Sequence, residues 1–224
     1  MIFVRMEQRR AHGTSLAAVL PIAVASLATY WAHGHVDWPV ALWLALGALA
    51  GAFVGASLLA VISKRNLALI FSIVLVVVGV RLFFTVNGDG RSDITFVLAV
   101  AYVLVGLATG ALSGLLGIGG GAIMVPIMAV VFGIPSVVAK GTSLAVIIPT
   151  ALMGTLRNRS KANVDLSSAV VIGITGVVMA IVGAWVSARM SDTLSNALFA
   201  VLLISVAVRM LRQAWTETAR AAGS

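Results

Sequence analysis

The stretch Ala139-Lys140-Gly141-Thr142-Ser143-Leu144-Ala145 has an earlier counterpart, Ala11-His12-Gly13-Thr14-Ser15-Leu16-Ala17, in which only the second residue differs. The 128-residue offset between the two runs on without a gap. It places Pro21 on Pro149, Val36-Asp37 on Val164-Asp165, Val54-Gly55-Ala56 on Val182-Gly183-Ala184 and Arg81 on Arg209. Roughly 21 identities fall within about 73 positions, a level that chance does not explain and that points to an internal duplication. Residues 1–90 are read as the first repeat and 91–224 as the second. The partner of Thr95 would lie at position −33, so the first repeat is expected to lack its beginning, about 33 residues, at the amino end. A misassigned start, a fragment and a real truncation all fit that shortfall.

Around the repeated motif the chain is apolar. Of 224 residues 61% are hydrophobic and 10% charged, against about 45–50% and 25% in soluble domains, and the mean hydropathy is +1.11. Too few polar residues exist to cover a water-facing surface, so the expected solvent is lipid. Runs free of interior charge and near 20 residues, the length that crosses a 30 Å hydrocarbon core, are plentiful. They are residues 14–31, 39–62, 67–85, 95–116, 141–156, 166–188 and 194–210. Residues 119–134 form a shorter run, glycine-rich at one end and closed by Pro135, which suits a re-entrant or broken segment. The expected fold is therefore all-α: a polytopic membrane bundle of two repeats with about seven transmembrane segments and one broken segment.

The net charge of +8 is distributed in the gaps between these runs, and not on one face as nucleic-acid binding requires. Lys and Arg are retained on the cytoplasmic side of a membrane. With residues 1–12 inside, that side holds Arg5, Arg9, Arg10, Lys64, Arg65, Arg157, Arg159, Lys161, Arg209, Arg212 and Arg220, while Asp37, Asp89, Asp93 and Asp192 fall outside. Both termini are then cytoplasmic, and matching segments run in opposite senses in the two copies. An inverted repeat of this kind places substrate near the midplane where the copies meet. An odd number of crossings is needed between Gly90 and Arg157, met by three full spans or by a hairpin plus one span.

The least ordinary local sequence is Gly110-Ala-Leu-Ser-Gly-Leu-Leu-Gly-Ile-Gly-Gly-Gly-Ala-Ile-Met-Val-Pro126. Gly117, Gly119 and Ala122 formally fit a dinucleotide fingerprint, but no strand precedes them and no acidic residue lies between Ile94 and Asp165 to hold a ribose. Nucleotide binding is excluded. Consecutive glycines at Gly119, Gly120 and Gly121 instead weaken a helix by about 1 kcal/mol each and expose backbone amides. At membrane depth such backbone is tolerated only when buried in protein or lining a polar cavity. Close helix packing is the plainer use of glycine, and the better one for Gly47, Gly51 and Gly55, spaced by four. Each Gly-Thr-Ser follows a basic residue, His12 or Lys140, and stands eight residues or so before a proline. Plain N-capping accounts for Thr or Ser at a helix start. Alternatively, two helix starts facing Gly117–Gly121 form an anion site, because a helix N-terminus carries about half a positive charge.

The stretch Leu112–Gly121 (L-S-G-L-L-G-I-G-G-G), then Val125-Pro126 and Ala139-Lys-Gly-Thr-Ser-Leu144, resembles the sulfite exporter TauE/SafE family across almost the whole chain. The resemblance implies a bacterial or archaeal inner-membrane protein, a duplicated helical bundle that moves small anions such as sulfite, sulfoacetate or thiosulfate. The first glycine motif of that family is missing here. The candidate substrate residues are Gly117, Gly119, Gly120, Gly121, Lys140, Gly141, Thr142 and Ser143, with His12, Gly13, Thr14 and Ser15 as the second set. The expected partners are the lipid bilayer and a small anion, with no nucleic acid, and an oligomer is compatible with the reading. No cofactor or metal is expected: zero cysteines exclude thiolate sites, and His33, His35 and Asp37 share one short loop best read as solvated. Asp37 and Asp165 read as helix caps. An intramembrane enzyme is disfavoured because no acidic residue or histidine sits in mid-span. The alternative function is a non-transporting membrane subunit, or a fragment that needs a partner.

Overall fold

The computed structural model describes residues 8–58, 69, 72–73, 75–77, 79–80, 94–116, 121–160, 163–187 and 190–222, and these are helical apart from short connections. The helices are α1 (Gln8–Ala32), α2 (Trp38–Leu58), α3 (Phe96–Leu116), α4 (Gly121–Val131), α5 (Ser136–Arg159), α6 (Leu166–Ser187) and α7 (Asp192–Ala222), with further helical residues within 69–80. The protein is an all-α membrane bundle. Gly13–Ala32, Ser136–Leu156 and Leu166–Gly183 are each long and apolar enough to cross a membrane, and Trp38–Phe53, Phe96–Ala111 and Asn196–Arg209 are shorter apolar helices. The expected span at 67–85 falls largely outside the described residues. Large side chains such as Val171, Ile174, Met179 and Trp185 stand more than half exposed on the outer surface of α6, as a lipid-facing helix requires.

Short polar side chains start these helices. Asp37 Oδ1 accepts the Val40 N–H at 3.2 Å and Asp165 Oδ1 accepts the Ser168 N–H at 3.3 Å, so both aspartates cap, as expected. Thr95 and Ser191 do the same for α3 and α7. At the other end of α1, Gly34 adopts φ +72°. The Gly34 N–H then reaches Trp31 O and the His35 N–H reaches Tyr30 O, both at 2.9 Å, the paired bonds of a Schellman stop.

The tightest helix contact joins α2 and α3. Gly47 and Gly51 lie against the carbonyls of Val103 and Leu107, while Gly106 and Gly110 lie against those of Leu44 and Ala48. Each helix offers two small residues four apart, and the matching numbers rise together, so the two run parallel. Packing was the expected role of Gly47 and Gly51; the surroundings of Gly55 lie outside the described residues.

Helix α4 is short beside its neighbours. Its 11 residues rise about 16 Å, half of the hydrocarbon thickness. It runs antiparallel to α5, from Gly121 beside Ile147 back towards the start of α5. Burial explains how a half-helix survives there. Met124, Val125 and Met128 pack with Val40 and Leu44 of α2, Tyr102 of α3 and Val146 of α5, while Ile123 packs with Leu75 and with Ala200 and Leu203 of α7.

Candidate functional site

Helices α1 and α5 pack together in opposite directions, and this antiparallel pair carries both Gly-Thr-Ser motifs. Neither motif opens its helix. Gly13 lies five residues after the start of α1 at Gln8, and Gly141 five after the start of α5 at Ser136. The expectation of two helix starts is thus corrected: each motif occupies the second turn, where glycine lets a neighbouring chain approach. Gly141 faces His35 O, and Gly13 faces Asn163 O, with the connection after one helix pressed onto the flank of the other.

The threonines serve the same contacts. Thr142 Oγ1 accepts the Asp37 N–H at 3.0 Å, and Thr14 Oγ1 accepts the Asp165 N–H at 2.9 Å. Donor and acceptor exchange places under the 128-residue offset, so each half of the chain completes the other. Thr142 is wholly buried and Thr14 is 3% exposed. Their hydroxyls are engaged, Thr14 also donating to Arg10 O at 2.7 Å. Ser15 is exposed. The side chain of His12 lies outside the described residues.

Thr14 and Thr142 sit at opposite ends of the pair. Gly141 lies beside Tyr30, and from residue 14 to residue 30 an α-helix rises about 24 Å. The expected single site, with both motifs around one glycine cluster, is therefore not what the fold brings together. Gly121 meets only the second motif: a Cβ placed there would stand 3.7 Å from Ser143 Oγ and 2.5 Å from Ile147 Cδ1. Ser143 is buried and donates to Lys140 O at 2.8 Å. One turn towards the helix start, Lys140 Nζ lies 5.8 Å from the centroid of the Phe199 ring of α7, within cation–π range. Gly117, Gly119 and Gly120 lie outside the described residues and precede Gly121 directly in sequence.

At the Thr14 end the Ser168 amide is the main reason that the Asp165 carboxyl is held below its usual value of 3.8. Partial desolvation opposes this, and the Ser168 hydroxyl and Arg10 add to it. Arg10 itself is 3.9 Å from Asp165 Oδ2.

The model of the sulfite exporter TauE/SafE family matches residues 1–95 and 102–223. The chain belongs to this family. Among TauE/SafE relatives, a probable membrane transporter protein of Xylella fastidiosa (strain 9a5c) is 30% identical over 210 residues, covering 92% of this chain and 80% of that protein. The probable membrane transporter protein YunE of Bacillus subtilis is 22% identical over 212 residues, 87% and 75% of the two chains. MJ0441 of Methanocaldococcus jannaschii, with the same description, is 31% identical over 116 residues, 49% and 43%. No solved structure matches. With the apolar helices, these matches make this TauE/SafE chain a membrane transporter.

Three buried groups in the TauE/SafE chain escaped sequence reasoning. Asn196 Oδ1 on α7, Thr155 Oγ1 on α5 and Ser72 Oγ are enclosed with no hydrogen-bond partner among the described residues. Asn196 is 8% exposed, one turn before Phe199. A lone amide within the apolar run 194–210 was the available signal, since polar groups at membrane depth mark function or close packing.

The exchanged hydrogen bonds are testable as a pair. Thr142→Val keeps the shape and removes the acceptor of the Asp37 N–H, and Thr14→Val does the same for Asp165. Each is expected to cost about 1–3 kcal/mol in thermal unfolding of the detergent-solubilised protein. Because the sites are far apart, the double variant should show the sum within about 0.5 kcal/mol.

Proposed function

We propose that this transporter moves a small sulfur-containing anion, of the sulfite, sulfonate or thiosulfate class, across the inner membrane, and that the anion binds where α4 begins. The observation that carries this reading is the N-terminus of a half-helix lying midway through the bundle at Gly121, against Ser143. Such a terminus concentrates amide donors and a positive dipole end at the depth where transporters hold substrate. Gly119, Gly120 and Gly121 supply the amides, Ser143 a hydroxyl, and Lys140 a cation on the approach. The family match supports sulfite as the first substrate to try and a transporter in place of an enzyme.

The two repeats 1–90 and 91–224 are read as inverted copies, and the exchanged Thr–Asp bonds support that reading. In it Gly13, Thr14 and their neighbours clasp the far end of the bundle and do not contact substrate. Asn158 and Asn163 lie against Gly13, which brings Arg10 of α1 and Arg159 of α5 to the same end of the bundle. This supports a cytoplasmic position for that end and for both termini.

Uptake of radiolabelled sulfite by proteoliposomes tests the proposal. The expected result is saturable uptake above that of empty liposomes, competed by thiosulfate and methanesulfonate. Lys140→Gln is expected to raise the half-saturating concentration about tenfold, near 1.4 kcal/mol, through loss of one charge. Uptake no greater than in empty liposomes overturns the substrate class, and an unchanged half-saturation with Lys140→Gln removes that residue from the site.

A further inference from the structure

Outside the anion site, the surface between α1 and α6 carries a groove of about 480 Å³ lined by Ala17 and Pro21 on one side and by Leu166, Val170, Gly173 and Val177 among others on the other. We propose that this groove and Arg10 form a binding site for one anionic phospholipid. Three observations converge on that occupant.

The first is length. The groove runs from Leu166 to Val178 along α6, a rise of about 18 Å, which is close to one leaflet, about 15 Å, of a 30 Å hydrocarbon core. The second is chemistry. All of its lining side chains are apolar, and Leu166, Val170, Ile174 and Val178 are each more than half exposed, so the groove opens outward to lipid. Its floor is low because Gly173 has no side chain and Pro21 Cγ would lie 3.1 Å from any Cβ added there.

The third is charge placed in register. Arg10, Ala17 and Pro21 are spaced by seven and eleven along α1, which puts them on one stripe of the helix. Arg10 thus caps the groove at the end where Leu166 follows Asp165. Its side chain is 55% exposed, and at 3.9 Å its pairing with Asp165 is too long to occupy the guanidinium donors. The oxygens of Asp165 already accept from the Ser168 amide and hydroxyl. A planar guanidinium suits a phosphodiester, and basic residues between helix ends favour anionic headgroups. An acyl chain in the groove with its phosphate on Arg10 meets all three conditions.

The test is native mass spectrometry of the purified protein supplied with phosphatidylglycerol or phosphatidylcholine of identical acyl chains. Wild type is expected to retain one phosphatidylglycerol, in about tenfold preference over phosphatidylcholine. Arg10→Gln should erase the preference and Arg10→Lys should keep most of it. Ala17→Trp, which fills the groove, should lose both lipids. Asp165→Asn separates lipid binding from a structural ion pair: it should preserve or raise phosphatidylglycerol retention, whereas a merely structural pair would make it behave like Arg10→Gln. Unchanged preference in Arg10→Gln, or an unchanged lipid count in Ala17→Trp, overturns the proposal. The chain has no cysteine, so Val170→Cys provides a unique thiol. A disulfide-linked dimer forming in native membranes would show that a second copy fills the groove, and would overturn it too.

Discussion

Gly121→Leu lowers sulfite uptake by at least about a hundredfold, near 2.7 kcal/mol of lost anion stabilisation, while the protein still inserts into the membrane. The reason is local. At the start of α4 the backbone is flanked by Ile147 Cδ1 and Ser143 Oγ, so a branched side chain fills the space in front of the amides that the anion would use. Uptake per inserted molecule, measured beside the thermal unfolding midpoint, checks this. A purely structural explanation makes a different prediction. The nearest atom is the far end of a flexible side chain, so Gly121→Leu combined with Ile147→Ala relieves the clash. That double variant is expected to recover stability and to remain inactive. Recovery of uptake along with stability would remove Gly121 from the anion site and return it to packing.

The second large effect concerns the α2–α3 seam. Any Cβ at Gly47, Gly51, Gly106 or Gly110 would fall onto a backbone carbonyl of the facing helix, and a backbone atom cannot rotate away as a side chain can. Gly106→Leu therefore forces the two helices apart along the whole seam. A cost of about 3 kcal/mol or more is expected, visible as a fall of roughly 6–12 °C in the unfolding midpoint. Gly183 is the internal control: nothing lies within 4 Å of its Cβ position in α6. Gly183→Ala should be neutral or gain up to about 1 kcal/mol from helix propensity. Equal destabilisation at Gly106 and Gly183 would show that the seam is not what glycine serves.

Much of this was legible in the residues, because lipid imposes strong patterns. Long uncharged runs had to be helices, the run from Gly119 to Ile134 was short for a crossing, and Gly47 and Gly51 stood at the spacing of a close helix contact. Asp37 and Asp165 read correctly as caps because a cap is a local interaction. The Gly-Thr-Ser motifs misled for the opposite reason. Their threonines resemble helix starters, yet α1 and α5 begin six residues earlier, and each hydroxyl receives an amide that lies 151 or 105 residues away in the chain. Spacing within one element cannot reveal such a partner. The same limit separated the two candidate sets: the offset relates them in sequence, but the antiparallel packing of α1 and α5 carries one motif to each end of the pair. Asn196 went unnoticed because one amide in an apolar run has no periodicity.

The exchanged bonds also bear on the order in which the molecule is made. Asp37 emerges from the ribosome 105 residues before Thr142, its acceptor, and at about 5–20 residues per second that is a wait of roughly 5–20 s. Thr14 waits longer still for Asp165. Until α5 enters the membrane, the α1–α2 turn has only water and headgroups to satisfy its amide. The early half of the chain is therefore a provisional structure during synthesis, locked only when the late half arrives, and a ribosome stalled before residue 142 would hold it in that unlocked form.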